Sequence, residues 1–165
     1  GSAAAYGRIV NGAAVTSPLP LDFANFEYTI VVTGLIQDTA GATSLFSNGT
    51  VVIYEDAATA ANWASPASFS DGTAILVGTM AAFQHSLLTA TLGSGAGSVD
   101  WTGGTMLNLL AVADQTGWPL LTSVSRAAAQ VQPGYTERWD GKVEPQEEVV
   151  ATEERSWSEL KATFR

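Results

Sequence analysis

The chain has 165 residues, of which 46% are hydrophobic and only 14% charged, with 16 acids against 7 bases and a net charge of −9. That length suits one domain with a sizeable core, and the apolar share excludes a charge-rich disordered chain. The acidic balance without a basic patch argues against nucleic acid and anionic membrane surfaces, no apolar run reaches the ~18 residues of a membrane span, and the absence of cysteine excludes disulfides, thiolate nucleophiles and Cys-built zinc sites.

At the N-terminus, Gly1-Ser2 reads as a cloning remnant. Ala3-Ala4-Ala5 reads either as the surroundings of a signal-peptide cleavage site or as a flexible stub. The body that follows reads as strands and tight turns. Asn-Gly and Asp-Gly pairs favour two-residue hairpins, because Asn and Gly tolerate positive φ. They occur at Asn11-Gly12, Asn48-Gly49, Asp71-Gly72 and Asp140-Gly141. Phe26 to Val32 alternates, with Phe26, Tyr28, Ile30 and Val32 on one face. Val51 to Tyr54 and Ala74 to Met80 are β-rich runs, each following a Gly turn. The Ala-rich stretch 57–64, with Asn62 and Trp63, reads as a short helix or turn on a connection.

Further on, Leu88, Ala90 and Leu92 alternate with threonines, and the run Gly93 to Gly97 reads as a flexible hairpin rather than a phosphate loop, since it lacks both G-x-G-x-x-G and a Walker lysine. Ser98 to Thr102, a turn at Gly103-Gly104, and Thr105 to Val112 continue the pattern. Tyr135 to Trp139 is expected to pair with Lys142 and Val143 across Asp140-Gly141. The predicted fold is therefore all-β: an antiparallel sandwich or barrel, jelly-roll-like, of about eight or nine strands.

The last part differs in charge. Residues 1–136 hold eight acids and two bases, Arg8 and Arg126, whereas residues 137–165 hold eight acids and five bases. The division expected is a β-domain over 1–143, an acidic linker over 144–155 and a short amphipathic helix over 156–165. Ser156 and Glu159 match a capping box, and Trp157, Leu160 and Phe164 share one helical face. About nine residues of helix are not stable alone in water, so the tail must dock to be ordered. Three outcomes are open: docking on the open end of its own sheet, docking on another protein or another copy, or disorder. Ser156 to Arg165 resembles the Trp-Lys-aromatic-Arg endings of uncharacterised bacterial exported β-rich proteins, and Phe46 to Asp56 and Phe69 to Gly78 share their look. The resemblance implies export and nothing about activity.

Four groups of residues carry candidate chemistry. His85 is the only histidine, and no G-x-S-x-G elbow accompanies it. Asp38, Glu55, Asp56, Asp71, Asp100 and Asp114 sit mostly at turns, where oxygen ligands for a structural calcium could converge. Adjacent Glu55 and Asp56 point to opposite faces of a strand, a poor acid/base pair for one glycosidic bond. Trp63, Trp101 and Trp118 lie near connections, where exposed rings would stack on sugars or buried rings would plug the fold. The first reading is a non-enzymatic exported or cell-surface protein with a structural or interaction role, its partner a protein or itself through Trp157, Leu160 and Phe164. The alternative is a carbohydrate-binding module using Trp63, Trp101 and Trp118, with structural calcium as an option. A hydrolase using His85 or a folded-together carboxylate pair is the third.

Overall fold

The computed structural model describes residues 1–10, 18–57 and 60–145. Their fold is one sheet of seven antiparallel strands curled into a half-barrel, in which spatial order follows chain order. The strands are β1 (Ser2–Ile9), β2 (Glu27–Thr39), β3 (Thr43–Asp56), β4 (Thr73–Leu87), β5 (Leu92–Gly103), β6 (Trp118–Ser125) and β7 (Arg138–Val143). Between them lie short 3₁₀ turns at Pro66–Phe69, Leu107–Leu109 and Val112–Gln115.

The all-β expectation holds, and the strand list is redrawn. There are seven long strands rather than eight or nine short ones, because several expected turns lie inside strands. Asn48-Gly49 is not a hairpin. The β2–β3 ladder breaks between the pairs Thr33↔Thr50 and Ile36↔Ser47 and then resumes. In that gap Gly34 has φ 73° and Asn48 φ 60°, left-handed conformations that Gly and Asn tolerate. Both strands bend together there. Shifts of register in the first four ladders add local twist, and together these irregularities curl the sheet. Asp140-Gly141 lies within β7, which pairs with β6 instead of folding on itself. Ala3-Ala4-Ala5 belongs to β1, paired with β2. Thr105 to Val112 forms turns rather than a strand, and stretch 57–64 carries no helix among its described residues. Asn11-Gly12 and the C-terminal helix lie outside the described residues.

Gly93 to Gly97 falls inside the first half of β5, and packing explains why. A Cβ on Gly95 would sit 2.5 Å from Phe83, and one on Gly97 would sit 2.6 Å from Met80 Sδ. The glycines leave the space that these large side chains of β4 occupy.

The concave face holds the main core, including Tyr28, Val32, Leu35, Val51, Ile53, Met80, Phe83, Val99, Trp101, Trp118 and Leu120. One end of this trough, the mouth, is formed by the ends of strands at Ile9, Tyr28, Glu55 and Trp118. Segment 18–26 covers it with Leu19, Leu21, Phe23 and Phe26, and the β5–β6 connection adds Met106, Leu107 and Leu110. The opposite end, the base, lies where Thr43, Leu87, Leu92, Ser125 and Arg138 begin or end their strands. On the convex face a second cluster packs Val31, Ala61 and Phe69 with Tyr6, Tyr54 and Trp63, so the β3–β4 connection folds back over β1 to β3.

Candidate functional site

The densest polar chemistry in the described residues sits at the base of the trough. β4 carries His85 on the concave face, 6% exposed. Its Nε2 lies 3.0 Å from Glu137 Oε2, on the segment leading into β7. The same carboxylate accepts the Trp139 indole N–H at 2.9 Å. Its other oxygen accepts Arg126 Nε at 2.7 Å. Parity explains the Glu137–Trp139 contact: residues two apart in extended chain share a face. Trp139 in turn stacks on Phe83 at 5.0 Å and 25°.

Burial alone would push the Glu137 carboxyl up. The Trp139 and Arg126 hydrogen bonds, with the charges of His85 and Arg126, outweigh it and hold the group below its ordinary value of 4.5. Glu137 is thus an ionised hub joining β4, the end of β6 and the start of β7. It is the residue that sequence reasoning does not single out, although its two-residue spacing puts it on the same strand face as Trp139.

A Ser-His-acid arrangement is nearly present and is wired for something else. Ser44 of β3 stands opposite His85 in the β3–β4 register. Its hydroxyl, however, donates to Gly41 O at 3.3 Å and accepts from Gln37 Nε2 at 3.4 Å. A nucleophile needs its proton directed to the base. With Ser44 7% and His85 6% exposed, the row is closed to a substrate. The geometry is that of a latch holding the β6–β7 connection against the trough.

The three tryptophans have unlike places. Trp101 and Trp118 are buried at 2% and 3% exposure, ring against ring at 5.6 Å and 89°. The Trp118 indole N–H donates to Asp114 O. These rings plug the mouth and offer no face to a sugar. Trp63 is half-buried and packs on Phe69 at 4.7 Å and on Tyr135 at 5.7 Å. The coplanar exposed pair that sugar stacking requires is therefore not formed by these three.

The acids are similarly dispersed. Tyr28 donates its hydroxyl to Glu55 Oε2 at 2.8 Å and accepts Asp22 N–H at 2.9 Å. Burial, with the Glu55 hydrogen bond and charge, pushes the Tyr28 phenol up, while the Asp22 amide pulls the other way. Asp38 accepts from Ser47 and Asp100 from the Gly117 amide. Among the described residues no three His, Asp or Glu side chains gather where they could hold a metal. A groove of about 470 Å³ opens beside the mouth, lined mainly by Ile9, Val10, Phe23 and Phe26, with Glu27 and Asp56 also on its walls. Trp157, Leu160 and Phe164 lie outside the described residues. No helix among the described residues is long and apolar enough to cross a membrane.

Comparison with known proteins returned no matching family model, no matching curated protein and no matching solved structure. The functional reading rests on this chain's own geometry.

Proposed function

We propose that the chain is a non-enzymatic structural or interaction module, exported or displayed at a cell surface, that works by pairing an open sheet edge with a partner. One observation carries this: the seven strands run in chain order, and both β1 and β7 lack an outer neighbour among the described residues. Alternating antiparallel strands of odd number leave the two edge strands running the same way. The sheet therefore cannot close on itself with the antiparallel pairing used everywhere else in it. Unpaired edge N–H and C=O groups are templates for another chain. In this reading the sandwich or barrel that the strand pattern calls for is completed between chains. Export is supported by the low charge of residues 1–136, whose surface is solvated by hydroxyls and backbone.

The test is the mass of the full chain in solution by light scattering, combined with amide hydrogen exchange of the edge strands. A mass above that of one chain, with edge amides protected, supports the reading. A monomer whose edge amides exchange freely at every attainable concentration overturns it.

A further inference from the structure

The two edges are not equivalent, and the difference selects one mode of assembly. β1 carries a single charged residue, Arg8, already held by Glu27 at 3.0 Å. Its Tyr6 ring is met by that of Tyr135 at 6.4 Å, and the Tyr135 hydroxyl donates to Trp63 O at 3.1 Å. β7 and the residue after it carry alternating charges at every second position: Arg138, Asp140, Lys142, Glu144. All four share one face by parity. At present they pair along the strand, Arg138 with Asp140 at 3.5 Å and Lys142 with Glu144.

The backbone of β7 is oriented by two contacts. Asp140 O accepts the Ser123 hydroxyl at 3.0 Å, and the Glu144 N–H donates to Pro119 O at 3.4 Å. Both partners belong to β6. Backbone groups alternate sides along a strand, so Trp139, Gly141 and Val143 direct their N–H and C=O groups to the open edge.

We propose that two copies of this chain pair β7 to β7, antiparallel, about a two-fold axis at Gly141. In that register Gly141 faces its own copy, and Trp139 faces Val143 of the second copy on the concave side. All three outward residues then sit in hydrogen-bonded pairs. On the convex side Asp140 meets Lys142 of the second copy, and Arg138 meets its Glu144, at the closer, non-hydrogen-bonded positions. A shift to an axis at Asp140 opposes Asp140 with itself and Arg138 with Lys142. A shift to Lys142 opposes Lys142 with itself and Asp140 with Glu144. Axes at Trp139 or Val143 keep one kind of opposite-charge pair, Arg138 with Asp140 or Lys142 with Glu144. The axis at Gly141, which makes two kinds at four contacts, is thus the most complementary register, and its immediate neighbours are repelled. A two-fold perpendicular to the sheet also keeps both troughs on the same side. This deepens the assembly reading above and rests on it.

The experiment is sedimentation velocity on the full chain and two variants, with thermal melting to verify folding. The wild-type chain is expected to dimerise at low ionic strength, with the dissociation constant rising as salt is added. Asp140→Lys places like charges at two symmetry-related contacts, and should raise the dissociation constant at least tenfold. The double change Asp140→Lys with Lys142→Asp restores the complementarity with signs reversed, and should restore the dimer. Both side chains are mostly exposed (75% and 57%), so folding is not expected to suffer. Exchange protection of the Gly141 and Val143 amides that vanishes on dilution is the matching signature in the unmodified chain. A folded double variant that stays monomeric overturns the proposal. So does a dimer indifferent to Asp140→Lys, which removes β7 but leaves assembly through another surface standing. A wild-type monomer at all concentrations with freely exchanging edge amides overturns both readings.

Discussion

The two ends of the trough are closed by opposite means. At the mouth, Trp101 and Trp118 meet edge to face, under a cover of aliphatic and aromatic side chains from two connections. At the base, His85, Arg126 and Trp139 converge on one carboxylate. Apolar closure gains from area removed from water and is indifferent to pH. Ionic closure gains little net energy from burial but fixes one arrangement, because each buried polar group must find its partner. The mouth accordingly supplies stability. The base supplies placement, fixing where the connection of residues 126–137 leaves the trough and hence where β7 begins.

The sharpest way to break this contrast is at the mouth. Trp118→Ala removes a ring that is 3% exposed and leaves Trp101 facing a cavity. The expected loss is about 3–5 kcal/mol by urea denaturation, equal at neutral and acid pH. A loss that depended on pH would mean that the mouth and base are coupled.

At the base, Glu137→Ala strands the Trp139 indole N–H and the His85 ring together. With side chains 8% and 13% exposed in the His85–Glu137 pair, the expected cost is about 3 kcal/mol. The pH dependence has a definite sign. The folded carboxyl titrates below 4.5, so its stabilisation is complete above the unfolded value and is lost as pH falls through the folded one. The gap between wild type and variant should therefore narrow as urea midpoints are followed from pH 7 down to about pH 3. Glu137→Gln keeps an acceptor for Trp139 and should lose less. A gap that stays constant with pH would make Glu137 a packing residue rather than an ionic hub.

Gly95→Ala probes the packing beside the base cluster, directly opposite His85 in the β4–β5 register. The added Cβ meets Phe83 Cζ at 2.5 Å and Thr122 Oγ1 at 2.6 Å. Phe83 is 1% exposed and stacked under Trp139, so the ring has little room to give. A loss of about 1–3 kcal/mol is expected, again from urea midpoints.

That glycine also marks where sequence reasoning stopped. Fold class was legible, since alternation at Phe26 to Val32 and the β-branched run at Val51 to Tyr54 report directly on strand geometry. The glycines were misleading because their sequence signal is ambiguous. A Gly run permits a turn, but it equally permits a large neighbour to occupy the space of missing side chains, and only the neighbour decides. Gly95 and Gly97 answer to Phe83 and Met80, on the adjacent strand and more than ten residues away. Asn48-Gly49 posed the same ambiguity between hairpin and bend, settled by Gly34 across the ladder. The base cluster joins residues 85, 126 and 137, whose meeting depends on register across four strands, and no local pattern encodes it. Trp101 and Trp118 show the converse: position near a turn suggests exposed rings, whereas their burial follows from the connections folding over them.

The smallest effect on stability tests whether β7 is shaped for folding or for assembly. Arg138 and Asp140 are 54% and 75% exposed and 3.5 Å apart, an arrangement that contributes little within one chain. Arg138→Ala should shift the urea midpoint of the monomer by no more than about 0.5 kcal/mol. Its partner in the two-fold arrangement, Glu144 of the second copy, would lose its only cross-chain charge, so the dissociation constant should rise while folding stays intact. A change that lowered monomer stability and left association untouched would place these charges in the service of the fold. The separation of the two readouts matters because the base latch fixes the start of β7 through Glu137, one residue before Arg138. An edge held in place from inside the trough, and patterned in charge on the outside, divides its work between the two faces.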